Sequence, residues 1–211
     1  FIFMSPTIQL LSASTALSAD RESYAKLFRF SLLLCGAMTA LLLLFGATPV
    51  FPLLLSRVFN IPEEITLPAR RAYFAMTPFV LFVGMRRLWQ GALIRYGHTP
   101  IVAVAMITRI FTVIAVLAVG IRFLQVDGAI LGGIALSIGA LTAAVATFFP
   151  FRRAQRKEMP EKAAEAGPTL TGRFLLLFYL PLALTGVVNL AVQPLFTVGL
   201  AFAPDSLDSL A

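Results

Sequence analysis

Long apolar stretches alternate with shorter polar segments along almost the whole chain. A helix that crosses the hydrocarbon core of a bilayer needs about 20 mostly apolar residues. Five stretches meet this length, so we predict five membrane-spanning helices, at residues 30–48, 72–94, 100–121, 128–149 and 174–204. Residues 1–19 carry no charge but are interrupted by polar side chains, and they predict the tail of a further helix whose beginning lies outside the sequence.

The polar segments between these stretches predict connections of different kinds. Residues 20–29 indicate a short charged connector, and residues 53–71 an extramembrane segment with acids at the start of a possible short helix. Gly97 and Pro100 mark a tight turn. The charged and polar residues 152–173 predict the one clear linker of the chain.

The distribution of lysine and arginine predicts which side of the membrane the linker occupies. The segments at 20–29, 95–99 and 152–173 hold ten such residues, and the segments on the opposite side hold four. Because cytoplasmic loops carry an excess of lysine and arginine, we predict that the linker is cytoplasmic. Arg70 and Arg71 lie on the opposite side and weaken this bias.

Composition favours a membrane protein and excludes an ordinary soluble domain. Hydrophobic residues make up 59% of the chain and charged residues 13%, with a mean hydropathy of +0.89, whereas soluble domains carry roughly 25% charged residues. The basic segments between the spans explain the net charge of +7, so no nucleic-acid partner is expected. We predict a multi-pass protein of the cell (inner or plasma) membrane.

The side chains that usually carry metal or catalytic chemistry are scarce. The single cysteine, Cys35, lies in an apolar run and is explained by packing. The single histidine, His98, has no neighbouring ligands in sequence and does not make a metal site. No predicted span offers an evident nucleophile–base pair. We therefore expect no metal, no cofactor and no enzymatic activity.

Arg109 is the deepest charge in the predicted spans. It lies nine residues after Pro100, which is about 14 Å along a helix and near the middle of its span. A charge at that depth costs at least about 2.5–3.5 kcal/mol, so Arg109 should face the bundle interior or a wet cavity. Helix spacing places four small or apolar residues on its face: Ala105, Met106, Thr112 and Val113. Arg109 is a candidate substrate-binding residue, and a structural arginine bonded to backbone carbonyls is the alternative.

Arg86 and Arg87 interrupt the span predicted at 72–94. They lie eight or nine residues before Arg95, near enough to the cytoplasmic end for their side chains to reach the headgroups. As neighbours they point about 100° apart on a helix, so one can line a cavity while the other reaches the headgroups. Gln90 follows Arg86 at i+4 and shares its face. We take all three as candidate substrate-binding residues, with headgroup snorkelling of the arginines as the alternative.

No aspartate or glutamate lies within the predicted spans, whereas three arginines do. Arginine binds phosphate or carboxylate bidentately, so this interior favours an anionic substrate. Pro181 and Pro194 predict that the last span is a long, broken helix, with a simple proline kink as the alternative. Broken helices expose backbone groups where they line cavities, which makes Asn189 and Gln193 further candidates for substrate binding.

Several motifs, in this order and spacing, resemble one family. They are "ADRESYAKLFRFSLLL", "FNIPEEITLPARRAYFAMTPF", "WQGALIRYGHTPIVAV", "VDGAILGGIALSIGAL" and "PLALTGVVNLAVQPLFTVGLAFAPDSLDSLA". Together they resemble the multidrug/oligosaccharidyl-lipid/polysaccharide exporter superfamily, the group of the multidrug and toxic compound extrusion transporters. Within it, "RRLWQGALIRYGHT" is most similar to the branch of the progressive ankylosis protein, an exporter of organic anions.

The resemblance implies an all-α, polytopic membrane helix bundle. Members have twelve helices in two six-helix lobes joined by a cytoplasmic linker. Residues 1–151 would then form most of the first lobe, from the end of helix 2 to helix 6. Residues 152–173 would form the inter-lobe linker, and residues 174–211 the first helix of the second lobe.

The implied function is secondary transport by alternating access between the two lobes. We expect export of a small organic anion, with the bilayer as the other partner and the coupling ion left open. One alternative is a flippase for a lipid-linked oligosaccharide or pyrophosphate lipid. Others are a cation-coupled multidrug antiporter and a membrane scaffold without transport. Antiporters of this group generally rely on buried carboxylates, which these spans lack, although the missing first helix could hold one.

Overall fold

The computed structural model describes residues 5–57, 63–123, 127–161 and 170–201. Within these residues the chain is an all-α bundle without strands, so the predicted all-α class is confirmed. The helices, in chain order, are α1 (Ser5–Ile8), α2 (Leu10–Leu17), α3 (Arg21–Ala47), α4 (Val50–Arg57), α5 (Glu63–Arg95), α6 (Thr99–Phe123), α7 (Gly128–Lys157) and α8 (Gly172–Ala201).

Four helices in the described part of the chain are long and apolar enough to cross a membrane, judged by length and composition. They are α3, α6, α7 and the Gly172–Asn189 part of α8. The remaining predicted span, residues 72–94, lies in α5, which is not among the four. The reason is that Arg86 and Arg87 lower the mean hydropathy of this part of α5.

The first helix boundary differs from the prediction. The Asp20 carboxylate accepts a hydrogen bond from the Ser23 backbone N–H at 2.6 Å and caps α3 at its N-terminus. A lysine–glutamate pair at i, i+4, Lys26 with Glu22 at 2.8 Å, supports the first turns. The connector predicted at 20–29 is therefore wrong from Arg21 onward, because these charged residues belong to α3.

The boundaries at the predicted linker also differ. α7 continues to Lys157, so residues 152–157 are helical, and α8 already begins at Gly172. The sequence "AQRK" consists of good helix formers, and basic residues in the last turn suit the helix dipole. Residues 162–169 of the predicted linker lie outside the described part. α8 is assigned without interruption from end to end, so the predicted break is absent.

α5 lies at the centre of the bundle. It packs against α2, α3 and, most extensively, α7, while α6 packs mainly on α7. Four of its side chains are completely buried: Val80, Leu88, Ala92 and Leu93. α5 therefore supplies the core to which the more apolar helices attach.

Two glycines let neighbouring helices approach α5 closely. A Cβ atom at Gly84 would overlap the Cys35 sulfur of α3, and one at Gly91 would overlap the Leu11 carbonyl of α2. Small residues at helix contacts are typical of bundles in membranes. Cys35 is completely buried at this contact, which agrees with the packing role predicted for it.

Two arginines of α5 cap neighbouring helices. Arg95 Nη1 donates hydrogen bonds to the carbonyl oxygens of Thr15 and Ala16 in the last turn of α2, at 2.9 and 2.7 Å. Arg70 donates from Nε and Nη2 to the last two carbonyls of α3, at 2.8 Å each. Cations at helix C-termini satisfy carbonyls that have no partner within the helix. Both arginines are thus held by the fold.

The tight turn predicted between the stretches at 72–94 and 100–121 is confirmed. Gly97 has a φ of 79°, in the left-handed region that favours glycine. Next to it, His98 Nε2 lies 2.9 and 3.0 Å from the carboxylate oxygens of Glu158, just after α7. This contact joins the α5–α6 turn to the end of α7.

Candidate functional site

Arg86 and Gln90 are the most deeply buried polar side chains of α5. Their exposed fractions are 2% and 1%. They are four residues apart and share one helix face. Arg86 Nη1 lies 2.9 Å from the sulfur of Met106 on α6. The headgroup snorkelling considered for Arg86 is therefore wrong: its side chain points between helices.

Several polar atoms at this position have no hydrogen-bond partner in the described part of the chain. They are Nε of Arg86, Nε of Arg87 and both amide atoms of Gln90. Leaving a buried donor or acceptor unsatisfied costs about 1–3 kcal/mol, and more for a charged group. A thioether sulfur is only a weak acceptor, so Met106 does not compensate. Groups of this kind call for a partner outside the described residues, which can be an ordered water or a bound solute.

Arg109 faces the bundle from the neighbouring helix α6. Its guanidinium carbon lies 5.5 Å from the centre of the Phe79 ring on α5, in cation–π contact. Next to it, Gly139 of α7 lets α6 approach closely, because a Cβ atom at this position would overlap the Val113 side chain of α6. Arg109 itself is half-buried. Its predicted orientation toward the interior therefore agrees with the structure.

The fold brings the three arginines together. The charges of Arg87 and Arg109 act on Arg86, and that of Arg109 acts on Arg87. No ion pair in the described residues involves any of the three. We call Arg86, Arg87, Arg109 and Gln90 the arginine cluster. It is a concentration of like charge between α5 and α6 without an acidic counterpart.

The chemistry of the arginine cluster points to an anion. Like charges repel in a medium of low dielectric, and an anion between them would turn that repulsion into attraction. A guanidinium offers paired N–H donors that match carboxylate or phosphate oxygens, and the Gln90 amide adds a neutral donor. Across the described residues no group of three or more histidine, cysteine or acidic side chains could hold a metal ion.

Of the other two predicted site residues, Asn189 lies apart from the cluster, and Gln193 cannot be placed relative to it. Asn189 is exposed on α8, which packs mainly against α1 and α3. The backbone of Gln193 lies in α8, and its side chain falls outside the described part. An apolar segment does not show which helices it will pack against, so the sequence alone does not separate Asn189 from the arginines.

The sequence reasoning missed two residues that shape the site. Phe79 contacts Arg109, and Gly139 lets α7 approach α6 beside it. Phe79 precedes Arg86 by seven residues, so helical spacing places both on one face of α5. That spacing was the available signal. Gly139 gave none, because glycines are frequent throughout its helix.

Comparisons with protein-family models, with curated proteins and with solved structures give no match to this chain.

Proposed function

We propose that the chain is part of a polytopic membrane transporter that binds an organic anion at the arginine cluster. The observation that carries this proposal is a set of buried polar atoms near Arg109 that have no hydrogen-bond partner in the described residues, namely Nε of Arg86, Nε of Arg87 and the Gln90 amide. The helices around it include some that are long and apolar enough to cross a membrane. A buried cationic site without acids favours an anion over a cation or a neutral solute.

The depth of the cluster supports transport over a surface function. Arg109 follows Thr99, the start of α6, by ten residues, about 15 Å by helical rise. In a helix that crosses the bilayer, this places its charge near the middle of the hydrocarbon. Ionisable residues at that depth usually mark substrate or ion pathways. Alternating access between two lobes, as the resemblance implies, would expose the cluster to each side in turn.

The orientation proposed from the positive-inside rule gains support from the fold. Arg70 is one of the cations that count against it. Its side chain caps the last two carbonyls of α3, so its position follows from helix capping. Arg95, on the linker side, caps α2 in the same way, so setting both arginines aside leaves nine cations on the linker side against three, which favours the linker side as cytoplasmic.

Efflux from liposomes tests the proposal. Full-length protein would be reconstituted with trapped citrate, nucleotide or a cationic dye, and initial efflux rates measured. Arg109→Ala should lower anion efflux by about 10-fold or more, because charged hydrogen bonds contribute about 1.5–3 kcal/mol. Arg122→Ala, at the exposed end of the same helix, should leave it unchanged. Dye efflux that is indifferent to Arg109, with no anion efflux, would refute the proposal.

A lipid-linked anion is the second candidate substrate. The residues of α6 around Arg109 that are large and apolar remain exposed, among them Ile107, Ile110, Phe111 and Ile114. A lipid tail could lie along them while its phosphate reaches the arginine cluster. A flippase of this kind would translocate a labelled sugar–pyrophosphate headgroup and leave citrate trapped. A scaffold would move no substrate in either assay.

A further inference from the structure

The last two turns of α7 carry an exposed group of cations. It consists of Arg152, Arg153, Arg156 and Lys157, which we call the basic end. No ion pair in the described part of the chain involves these four. The nearest acid along the chain, Glu158, is held by His98. The basic end therefore presents positive charge that the protein does not neutralise.

The same face of α7 carries apolar side chains toward its middle. They are spaced three or four residues apart and are between 37% and 67% exposed, and we call them the apolar stripe: Ile134, Ile138, Leu141, Val145 and Phe149. The spacing continues from Phe149 to Arg153 and Arg156, so the stripe runs into the basic end. Phe151 and Ala154 on the other face are buried against the bundle.

Two adjoining clefts lie where the stripe meets the cations. Their volumes are about 640 and 530 Å³, and they share Phe149, Arg153 and Lys157. The first is completed by the α5–α6 turn and by Glu158, whose carboxylate contacts His98 of that turn. The second is completed by Arg152 and Arg156. Volumes of this size are typical of small-molecule sites. The Arg152 guanidinium carbon lies 5.5 Å from the centre of the Phe148 ring, which helps to hold it in place.

The length of α7 places the basic end at the level of lipid headgroups. Its charge-free part runs from Gly128 to Phe151, about 36 Å by helical rise. The hydrocarbon core is about 30 Å thick. An occupant of this face therefore meets cations at the headgroup level and apolar side chains below them.

We propose that the basic end and the apolar stripe bind an anionic phospholipid, with its phosphate in the clefts and an acyl chain along the stripe. A soluble phosphate would use only the clefts and leave the stripe uncovered. The proposal rests on the membrane placement of α7 made above. It is independent of what the arginine cluster binds, so efflux can fail while the lipid site stands.

The single tryptophan of the chain provides a built-in reporter. Trp89 lies against Phe148, with 4.9 Å between ring centroids, next to the basic end. The full chain in neutral phosphatidylcholine bilayers would be titrated with phosphatidylglycerol that carries bromine on its acyl chains, which quenches tryptophan fluorescence. Brominated phosphatidylcholine is the matched lipid. Half-maximal quenching should require several-fold less of the anionic lipid.

Charge variants locate the site. Arg153→Gln with Lys157→Gln should raise the phosphatidylglycerol needed for half-maximal quenching by about fivefold for each cation removed. Lys26→Gln with Arg173→Gln removes the same charge outside the two clefts and should change it little. The charge-keeping variant Arg153→Lys with Lys157→Arg should retain the preference, which separates loss of charge from misfolding.

Three results would overturn the lipid site. The first is that the unmodified chain requires the same concentration of anionic and neutral brominated lipid for half-maximal quenching. The second is an equal shift in both charge-removing variants, which would mean general surface attraction. The third is loss of the lipid preference on adding soluble glycerol phosphate, which would mean a site for free phosphate.

Discussion

Arg86 combines almost complete burial with the lack of an acidic partner among the described residues. A buried charge without compensation is expensive, because desolvation costs several kcal/mol per ion. A sequence under no demand other than stability would place an apolar side chain here. The anion proposed above would offset this cost, whereas packing alone would not.

Replacing Arg86 with an apolar side chain of similar length separates these explanations. Arg86→Met should stabilise the anion-free protein by about 1–4 kcal/mol, because it removes a desolvated charge. We expect citrate to raise the melting temperature of the unmodified protein, and Arg86→Met should abolish that rise. Thermal unfolding followed by circular dichroism in detergent measures both effects, with Arg122→Met as the exposed control. A less stable Arg86→Met variant would indicate a structural arginine.

Gln90 allows the opposite change, in which the protein supplies the missing anion. Gln90→Glu places a carboxylate at i+4 from Arg86, so the new side chain should pair with the guanidinium. We expect at least about tenfold weaker binding of citrate, because the new carboxylate competes with citrate for the N–H donors of Arg86. Equilibrium binding of labelled citrate measures this. Gln155→Glu, half-exposed on α7, is the control, and unchanged binding in Gln90→Glu would exclude Gln90 from the site.

The sequence identified the polar members of the arginine cluster because a charge in an apolar segment stands out. Placing the charges of Arg86, Arg87 and Arg109 inside a membrane costs free energy, so their presence in apolar segments indicates a function. Phe79 gave a weaker signal, because an aromatic residue in an apolar helix is ordinary. The separation of Asn189 from the cluster depends on which helices are neighbours, and the hydropathy pattern along one chain does not show that.

At the scale of helices, the existence of each long element was predictable and its ends were not. An apolar stretch of about 20 residues fixes the part that can cross the hydrocarbon. Charged residues were interpreted as the end of the helix at 20–29 and 152–157. A helix can continue past the hydrocarbon with charged side chains, since its backbone hydrogen bonds do not depend on the solvent. The Asp20 cap decided the first boundary.

The close contact between α2 and α5 depends on Gly91, which has no side chain. Gly91→Ala would place a Cβ atom against the Leu11 carbonyl and Ser14 of α2. We expect a loss of about 1–3 kcal/mol, as for other overpacked positions. Gly132→Ala on α7 is the matched control, since nothing lies within 4 Å of its Cβ position. There, alanine should stabilise the helix by up to about 1 kcal/mol.

Thermal unfolding of the two alanine variants in the same detergent measures this difference. The melting temperature should fall for Gly91→Ala and stay level or rise for Gly132→Ala. An equal change in both would mean that the helix contact at Gly91 is loose, and that backbone propensity alone sets the effect.

At the scale of the whole molecule, the outer helices are covered by little protein. α6 and α8 leave many large apolar side chains exposed, among them Phe111, Ile121, Leu177 and Leu180. Contiguous apolar surface of this kind marks contact with lipid or with another protein. A second lobe packed on one side and lipid on the other would cover both helices. The exposed surface thus agrees with a chain that forms part of a larger membrane assembly.

The orientation of this assembly can be tested because the only cysteine is completely buried. Cys35 should not react with a membrane-impermeant maleimide, so the unmodified chain is the unlabelled control. Val50→Cys, exposed after α3, should be labelled in intact cells. Glu161→Cys, exposed after α7, should be labelled only after permeabilisation. α3 separates the first site from the linker side, so the reverse labelling pattern would invert the proposed topology and place the basic end outside the cell.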